Sequence, residues 1–177
     1  TVIGGVGRLE REGLVNELID LSVLQGSEFS LEAEDTDLTA LFLDVAALAG
    51  PVFRTRGAAL DARIQEGIQG SVDAGRIRQV MMNLLDNASR YAPADSHVLL
   101  EARQEKGLLR VRVRDQGPGI PPDQMPHLFE RYRRPSGRSG SGLGLPLCKA
   151  IVEAHRGRIQ AESDGKSFTE VSFQLPI

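Results

Sequence analysis

The chain has 177 residues, with 24 acidic against 21 basic side chains and a formal net charge of −3. Hydrophobic residues make up 41% and charged residues 25%, which is typical of a globular protein that buries a core without disulfides. The mild acidic excess argues against general nucleic-acid binding, and a single cysteine, Cys148, excludes an intrachain disulfide framework and a cysteine-based zinc site.

The longest apolar stretch runs from Leu38 to Phe53 and is interrupted by Asp44 and Pro51. We therefore predict no transmembrane helix and no membrane contact by this chain. No signal-peptide pattern is visible, and the chain begins with Thr1 rather than Met, which indicates a processed product or an excised fragment of a longer protein.

Two parts are predicted. Residues 1–27 contain a helix from about Arg8 to Leu24, where aliphatic side chains repeat at helical spacing despite several glycines. Because this stripe has little sequence nearby to pack against, we expect it to meet a partner helix. Residues 28–177 are predicted to form one α/β domain.

The elements of the second part follow from alternation, helical periodicity and turn residues. A short strand is expected around Phe29, Leu31 and Ala33, and acidic side chains at 35–37 can cap the helix that follows. Asp73 can cap a long helix that Pro93 stops. The predicted ranges are helices 38–53, 73–91 and 143–155, and strands 60–64, 97–104, 108–114, 158–163 and 168–175.

The helix after Asp73 carries two asparagines beside its apolar stripe. At about 100° per residue, Asn83, Asn87 and Arg90 form a polar cluster next to the core-facing apolar side chains. Tyr91 lies between this cluster and the apolar side chains. Amide oxygens suit Mg²⁺ and a guanidinium suits phosphate. On this helix alone, however, asparagines that simply face water are the simpler interpretation.

Two glycine-rich segments follow. The strand 108–114 leads directly into Asp115 and the sequence QGPGI at 116–120. An ionised carboxylate accepts hydrogen bonds only, so an exocyclic amine such as that of adenine is a suitable donor to it. An ordinary Asp–Gly turn is the competing interpretation.

The second glycine-rich segment, GSGLGL at 140–145, opens the last predicted helix. Glycines before a helix N-terminus leave N–H groups and a positive dipole end available to phosphate. This segment is neither a dinucleotide fingerprint in a βαβ unit nor a Walker A loop. Four arginines at 131, 133, 134 and 138 precede it, as in a phosphate-facing lid or an ordinary solvated loop.

In combination, these segments resemble the catalytic, ATP-binding domain of two-component sensor histidine kinases, within the superfamily of gyrase, heat-shock chaperone and mismatch-repair ATPases. NLLDNASRY at 83–91 is similar to the N box of the family, DQGPGI at 115–120 to its first glycine box, LFERYR at 128–133 to its phenylalanine box and GSGLGL at 140–145 to its second glycine box. Residues 14–22 resemble the second helix of a dimerisation domain.

The resemblance implies a fold and a site. The fold is a two-layer α/β sandwich in which a mixed, mostly antiparallel sheet packs on three helices. Asn87 would ligate Mg²⁺, Asp115 would receive the adenine amino group, and Phe129 would anchor one end of a lid. The implied catalytic residues are Asn83, Asn87 and Arg90, and the implied ATP-binding residues are these three with Tyr91, Asp115, Gly117, Gly119, Ile120, Phe129, Arg133, Gly140, Gly142, Leu143, Gly144 and Leu145.

Asn83 favours one chemistry within the superfamily. Water-activating ATPases carry a glutamate where this chain has Asn83, and an amide cannot act as a general base. None of the three histidines, His97, His127 and His155, lies in a phosphoacceptor motif. The resemblance therefore implies a kinase domain whose acceptor histidine lies outside this chain.

The implied partners are ATP with Mg²⁺, a histidine-containing dimerisation domain of the same parent protein and, indirectly, a response regulator. The implied location is the cytoplasm, with an inner-membrane sensor as a candidate parent. Two alternatives stay open: a nucleotide-sensing interaction module without catalysis, and a superfamily ATPase.

The sequence GKSF at 165–168 departs from the Gly-Thr-x-Phe common in the family, which leaves the role of that turn open.

Overall fold

The computed structural model describes residues 30–130 and 142–177. The predicted helix at Arg8–Leu24 lies outside the described residues, as do Arg133 and Gly140. Residues Leu31–Ile177 form one compact unit, while the predicted boundary between residues 27 and 28 stays a prediction. In chain order the elements are β1 (Glu34–Asp37), α1 (Leu38–Thr55), β2 (Ala59–Ile64), β3 (Gln69–Val72), α2 (Ala74–Tyr91), β4 (His97–Glu105), β5 (Leu108–Asp115), a short 3₁₀ turn (Met125–His127), α3 (Gly144–Ala154), β6 (Arg158–Ser163) and β7 (Thr169–Pro176).

The main sheet has five strands in the order β2-β4-β5-β7-β6. Strand β2 runs parallel to β4, and the other three pairings are antiparallel. Helices α1, α2 and α3 contact the sheet, with α2 between the other two. The predicted two-layer α/β sandwich with a mixed, mostly antiparallel sheet is therefore confirmed.

The side chains of α2 that point to the sheet are those predicted from the helical period. Ile77, Met81, Leu84 and Ala88 are all buried. Their spacing of three and four residues places them on one side of the helix, where they pack into the core. The same spacing places Asn83 and Asn87 at the edge of the core, where they are half-buried.

Helix α1 is the most apolar helix among the described residues. By length and composition alone it could cross a membrane, a criterion that the core helix of a globular domain also satisfies. Six of its side chains are buried, among them Phe42 and Phe53. Three others, Leu43, Leu48 and Val52, are exposed.

Aspartates cap the first two helices. Asp37 Oδ1 accepts a hydrogen bond from the Ala40 amide at 2.9 Å, and Asp73 Oδ1 accepts one from the Arg76 amide at 3.0 Å. The second oxygen of Asp73 also accepts from the Glu32 amide at 3.1 Å. Each cap satisfies helix N–H groups that would otherwise lack an acceptor, as the sequence predicted.

Replacing Asp73 with alanine should lower the free energy of unfolding by about 1–2 kcal/mol, because the variant loses acceptors for two backbone amides. Asp37→Ala is the matched control, since it removes the acceptor of one amide and should cost about 1 kcal/mol. Urea titrations of the two variants measure the difference. A loss for Asp73→Ala that is no larger than that for Asp37→Ala would contradict the double cap.

The first strand differs from the prediction. No regular secondary structure is present at residues 30–33, and β1 begins at Glu34. Strand β1 pairs antiparallel with β3, which the sequence analysis missed. Because the position of β1 is set by a partner more than thirty residues away, the local alternation of Leu31 and Ala33 placed the strand too early.

The sheet face opposite the helices carries ion pairs. Glu101 on β4 accepts hydrogen bonds from Arg103 and from Arg112, the latter at 2.9 Å. Burial raises the pKa of Glu101, but the hydrogen bonds and charges of the two arginines outweigh burial and lower it overall. This network lies on the polar face of the sheet, away from the buried side of α2.

Candidate functional site

The asparagine face of α2 forms one wall of the site. Asn83 and Asn87 are both half-buried, beside the buried Leu84 and Ala88. Their spacing of four residues stacks the two carboxamides along one side of the helix. The structure thus places both amides at the boundary between core and solvent, where a ligand can reach them.

Arg90 lies one turn beyond Asp86 and forms an ion pair with it. The distance from Arg90 Nη2 to Asp86 Oδ2 is 2.6 Å. The predicted phosphate-facing arginine is therefore engaged by a neighbouring carboxylate in this structure. Asp86 is also 3.8 Å from Arg56, which follows α1.

Asp115 ends β5 as a buried carboxylate, with 5% of its surface exposed. Its Oδ1 accepts a hydrogen bond from the Gly117 amide at 2.8 Å. A buried charge is costly without partners. The carboxylate therefore orders the loop that follows it, and a carboxylate can also accept hydrogen bonds from a ligand.

The glycines of the 116–120 loop allow close contact with two neighbours. A Cβ at Gly117 would lie 2.6 Å from Asp115 Oδ1 and 2.7 Å from the carbonyl oxygen of Tyr91, so the loop packs directly on the end of α2. Gly119 has a φ of +71°, which disfavours other residues. A Cβ there would lie 2.6 Å from the Lys166 amide nitrogen.

Ile120 anchors the end of this loop. Its side chain is buried, and its amide donates to Ser163 Oγ at 2.8 Å. Ser163 Oγ also accepts from the Gly165 amide and donates to the Phe168 carbonyl. This serine, which the sequence analysis did not name, therefore joins the first glycine loop to the turn between β6 and β7.

The turn between β6 and β7 is ordered by Asp164. Hydrogen bonds from the Ser167 side chain and from backbone amides of residues 166–168 hold the pKa of Asp164 well below its usual range. This turn lies directly beside Gly119, because a Cβ at Gly119 would meet the Lys166 amide nitrogen. Its departure from the family pattern is thus accommodated by an aspartate-based turn.

Strand register adds one more polar residue. Thr169, the first residue of β7, lies directly opposite Asp115 on the neighbouring strand. Opposite residues of an antiparallel pair project to the same face of the sheet. Thr169 is half-buried, and it is the second residue near the site that motif reasoning missed.

The second glycine segment meets α2 at the other end of the site. Gly144 is the first residue of α3, and a Cβ there would lie 3.8 Å from Asn83 Cγ. Among the described residues no side chain caps this helix start, and Pro146, which needs no hydrogen-bond acceptor, lies in its first turn. The described residues Gly142, Leu143 and Leu145 are half-buried around it.

The structure therefore brings segments of three predicted motifs next to one another. The end of α2 contacts the first glycine loop through Tyr91 and Gly117, and its middle contacts the start of α3 through Asn83 and Gly144. Phe129 is half-buried at the end of the described loop. Arg133 and Gly140, with the other lid arginines, lie outside the described residues.

Comparison with known proteins identifies the class of this fold and site. The family model described as "Histidine kinase-, DNA gyrase B-, and HSP90-like ATPase" matches residues 72–177. This match covers more than half of the chain and includes α2, both glycine segments and the sheet from β4 onward. The chain belongs to this family.

Its relatives narrow the class further. The chain is 34% identical to the signal transduction histidine-protein kinase BaeS of Escherichia coli (strain K12), over 97% of this chain and 38% of BaeS. It is 37% identical to the sensor protein KdpD of Clostridium acetobutylicum, over 63% of this chain and 13% of KdpD. The chain therefore spans well under half the length of these curated relatives.

Solved structures agree with this class. Full-length ShkA in complex with AMPPNP superposes with a TM-score of 0.83 at 28% identity, over 93% of this chain and 35% of ShkA. The mycobacterial sensor histidine kinase MprB gives a TM-score of 0.71 at 28% identity, over 81% of this chain and 97% of the MprB chain. The chain is thus an ATP-binding catalytic domain of the sensor histidine kinase type.

Proposed function

We propose that this domain binds Mg-ATP in the space between α2, the first glycine loop and the start of α3, and transfers the γ-phosphoryl group to a histidine outside this chain. The observation that carries the proposal is the meeting of three motifs around one helix. Gly117 packs on Tyr91 at one end of the asparagine face, and Gly144 packs by Asn83 further along it. The AMPPNP complex of the similar protein ShkA supports an ATP-type ligand.

The adenine is assigned to the Asp115 end of this space. A carboxylate accepts several hydrogen bonds, so Asp115, which holds the Gly117 amide, can also accept the 6-amino hydrogen of adenine. Thr169, opposite Asp115, supplies a hydroxyl at the same end. Tyr91 and the glycines at 117 and 119 would line the base, because the loop backbone there leaves no room for side chains.

The phosphates are assigned to the other end. The first turn of α3, with Gly142, Leu143, Gly144 and Leu145, favours negative charge through its N–H groups and dipole. Arg90 would contact the phosphate oxygens. By resemblance, Phe129, Arg133 and Gly140 would belong to a lid that closes over them.

Magnesium fits this site only together with ATP. The described residues contain no group of three or more His, Cys, Asp or Glu side chains that could hold a metal ion. The Asn87 amide oxygen would supply one ligand, and phosphate oxygens and water molecules would supply the others, as is usual for Mg²⁺. The bound ion would neutralise charge that develops on the transferring phosphoryl group.

The residues beside Asn87 favour phosphotransfer over ATP hydrolysis. Asn83 cannot take a proton from water, and the Asp86 carboxylate lies beside the Arg56 guanidinium, which favours its charged but weakly basic form. A neutral histidine imidazole is already a nucleophile. Its nitrogen would bond to the γ-phosphorus while the bond to the β–γ bridging oxygen breaks and ADP leaves, a step that needs positioning and charge neutralisation rather than a strong base.

The proposed partners follow from this chemistry. A dimerisation domain that carries the acceptor histidine would receive the phosphoryl group and would pass it to a response regulator. The structure of ThkA in complex with the response regulator TrrA covers 99% of this chain at 23% identity and supports the shared fold. We place the domain in the cytoplasm, where ATP is available, with an inner-membrane sensor as the candidate parent.

Transfer of labelled phosphate tests this proposal. The chain is mixed with Mg²⁺, γ-labelled ATP and histidine-bearing dimerisation domains of relatives, BaeS included, each beside a variant whose acceptor histidine is changed to alanine. Acid-labile label on the wild-type acceptor alone supports a histidine kinase. Steady phosphate release without acceptor would show an ATPase instead, and ATP binding with neither reaction would show a nucleotide-sensing module.

A further inference from the structure

Asp86 lies between two guanidinium groups. Its Oδ2 is 2.6 Å from Arg90 Nη2, and its Oδ1 is 3.8 Å from Arg56 Nη1. Both Asp86 and Arg90 are partly exposed, with 43% and 33% of their side-chain surfaces accessible. This pair is therefore reachable by water and by a charged ligand.

Arg56 is held in place independently of Asp86. Its Nη1 donates a hydrogen bond to Ser89 Oγ, and Ser89 is buried. Ser89 Oγ in turn donates to the Asp86 carbonyl at 2.8 Å. The second guanidinium thus stays beside Asp86 whatever Arg90 does.

The helical positions show what Asp86 does to Arg90. At about 100° per residue, Asp86 lies about 60° around α2 from Asn83, on the side that faces α1. Arg90 lies between Asp86 and the asparagine face, about 40° from Asp86. The ion pair therefore draws the Arg90 guanidinium toward Arg56 and away from the asparagines.

We propose that Asp86 is a positioning residue that competes with the ATP phosphates for Arg90. Without nucleotide, Asp86 holds the Arg90 guanidinium; when ATP binds, Arg90 turns to the phosphates and Arg56 alone faces Asp86. This inference rests on the proposed phosphate-facing role of Arg90. Asp86 and Arg56 were not among the predicted site residues, and both are here given a role in setting the ATP affinity.

The exchange is energetically easy. Arginine stays charged at all physiological pH values, so Arg90 can pair with an anion in either state. One ion pair is replaced by another, and Asp86 retains a cation nearby. Because a partly exposed ion pair contributes little, Asp86 should weaken ATP binding only by about two- to fivefold.

Nucleotides that differ in phosphate number test the competition. Calorimetric titrations compare adenosine, ADP and ATP on the wild type and on Asp86→Asn. We expect ATP to bind about two- to fivefold more tightly to the variant, ADP to gain less, and adenosine to be unchanged. An Arg90→Gln background should abolish the gain, because no guanidinium remains to be released.

Two further measurements make the outcome decisive. Asp44→Asn is the matched control, since Asp44 pairs with Arg78 at 3.6 Å and should leave all three affinities unchanged. Unchanged or weaker ATP binding by Asp86→Asn, an equal gain for adenosine, or the same gain in the Arg90→Gln background would overturn the inference. Failure of the wild type to bind ATP would instead contradict the proposed function.

Discussion

Replacing Asp115 with asparagine should weaken ATP binding on the order of a hundredfold, because a hydrogen bond to a buried charged group is lost and a donor faces the adenine amino group. We expect the substitution to affect nucleotide binding and to leave the protein fold intact. Asp115 Oδ1 accepts from the Gly117 amide, and an amide oxygen can keep this bond. Titration calorimetry of wild type and variant measures the change.

A change of base supplies the matched control for this variant. Inosine triphosphate carries a carbonyl at position 6, so the new amide can donate to it where the carboxylate could not. We therefore expect Asp115→Asn to reverse the preference, with inosine triphosphate bound more tightly than ATP. Unchanged ATP affinity in this variant would show that the adenine lies elsewhere.

Replacing Asn87 with alanine should lower the rate of phosphotransfer by about 100- to 1,000-fold, because Mg²⁺ loses a protein ligand beside the reacting phosphates. Adenosine binding should be unchanged, since the Asp115 end of the site is untouched. Alanine is the better helix former, so α2 should not be weakened. Single-turnover labelling of an acceptor domain measures the rate.

An oxygen ligand can be restored at this position. Asn87→Asp retains an oxygen of the kind that Mg²⁺ prefers and should recover part of the lost activity, whereas Asn87→Ala should not. Circular dichroism of both variants checks that α2 remains folded. Full activity of Asn87→Ala would remove the magnesium assignment.

Much of the fold follows from local signals in the sequence. The period of Ile77, Met81, Leu84 and Ala88 predicted the buried side of α2, and the structure buries all four. Asp73 predicted the start of that helix and caps it. These features could be predicted because a helix makes its hydrogen bonds and its amphipathic face within a single segment.

Strands that depend on distant partners were harder to predict. The four-residue β3 was missed, and β1 was placed too early, because each is defined by pairing with the other. Neither strand has an alternating apolar pattern long enough to stand out. Their positions follow from the whole fold rather than from their own residues.

Some residues of the candidate site could likewise be predicted from local sequence, and others could not. The motif residues Asn83, Asn87, Asp115 and Gly117 could be named from sequence because their order along the chain resembles a family. Ser163 and Thr169 could not, since a hydrogen bond to the Ile120 amide and a strand register opposite Asp115 bring them to the site.

Arg56 shows why tertiary contacts escape motif reasoning altogether. It follows α1, and only the packing of α1 beside α2 brings it to Ser89 and Asp86. No spacing rule links residues so far apart in the chain. The proposed control of Arg90 therefore became visible only in the folded structure.

The most direct test of the account is a crystal structure of this chain with Mg²⁺ and a non-hydrolysable ATP analogue. In such a structure the adenine amino group should lie at hydrogen-bonding distance, about 2.7–3.2 Å, from the Asp115 carboxylate. The metal ion should lie on the Asn87 amide oxygen, and Arg90 should have turned from Asp86 toward the phosphates. A nucleotide bound away from Asp115, or a metal ion held by other side chains, would contradict it.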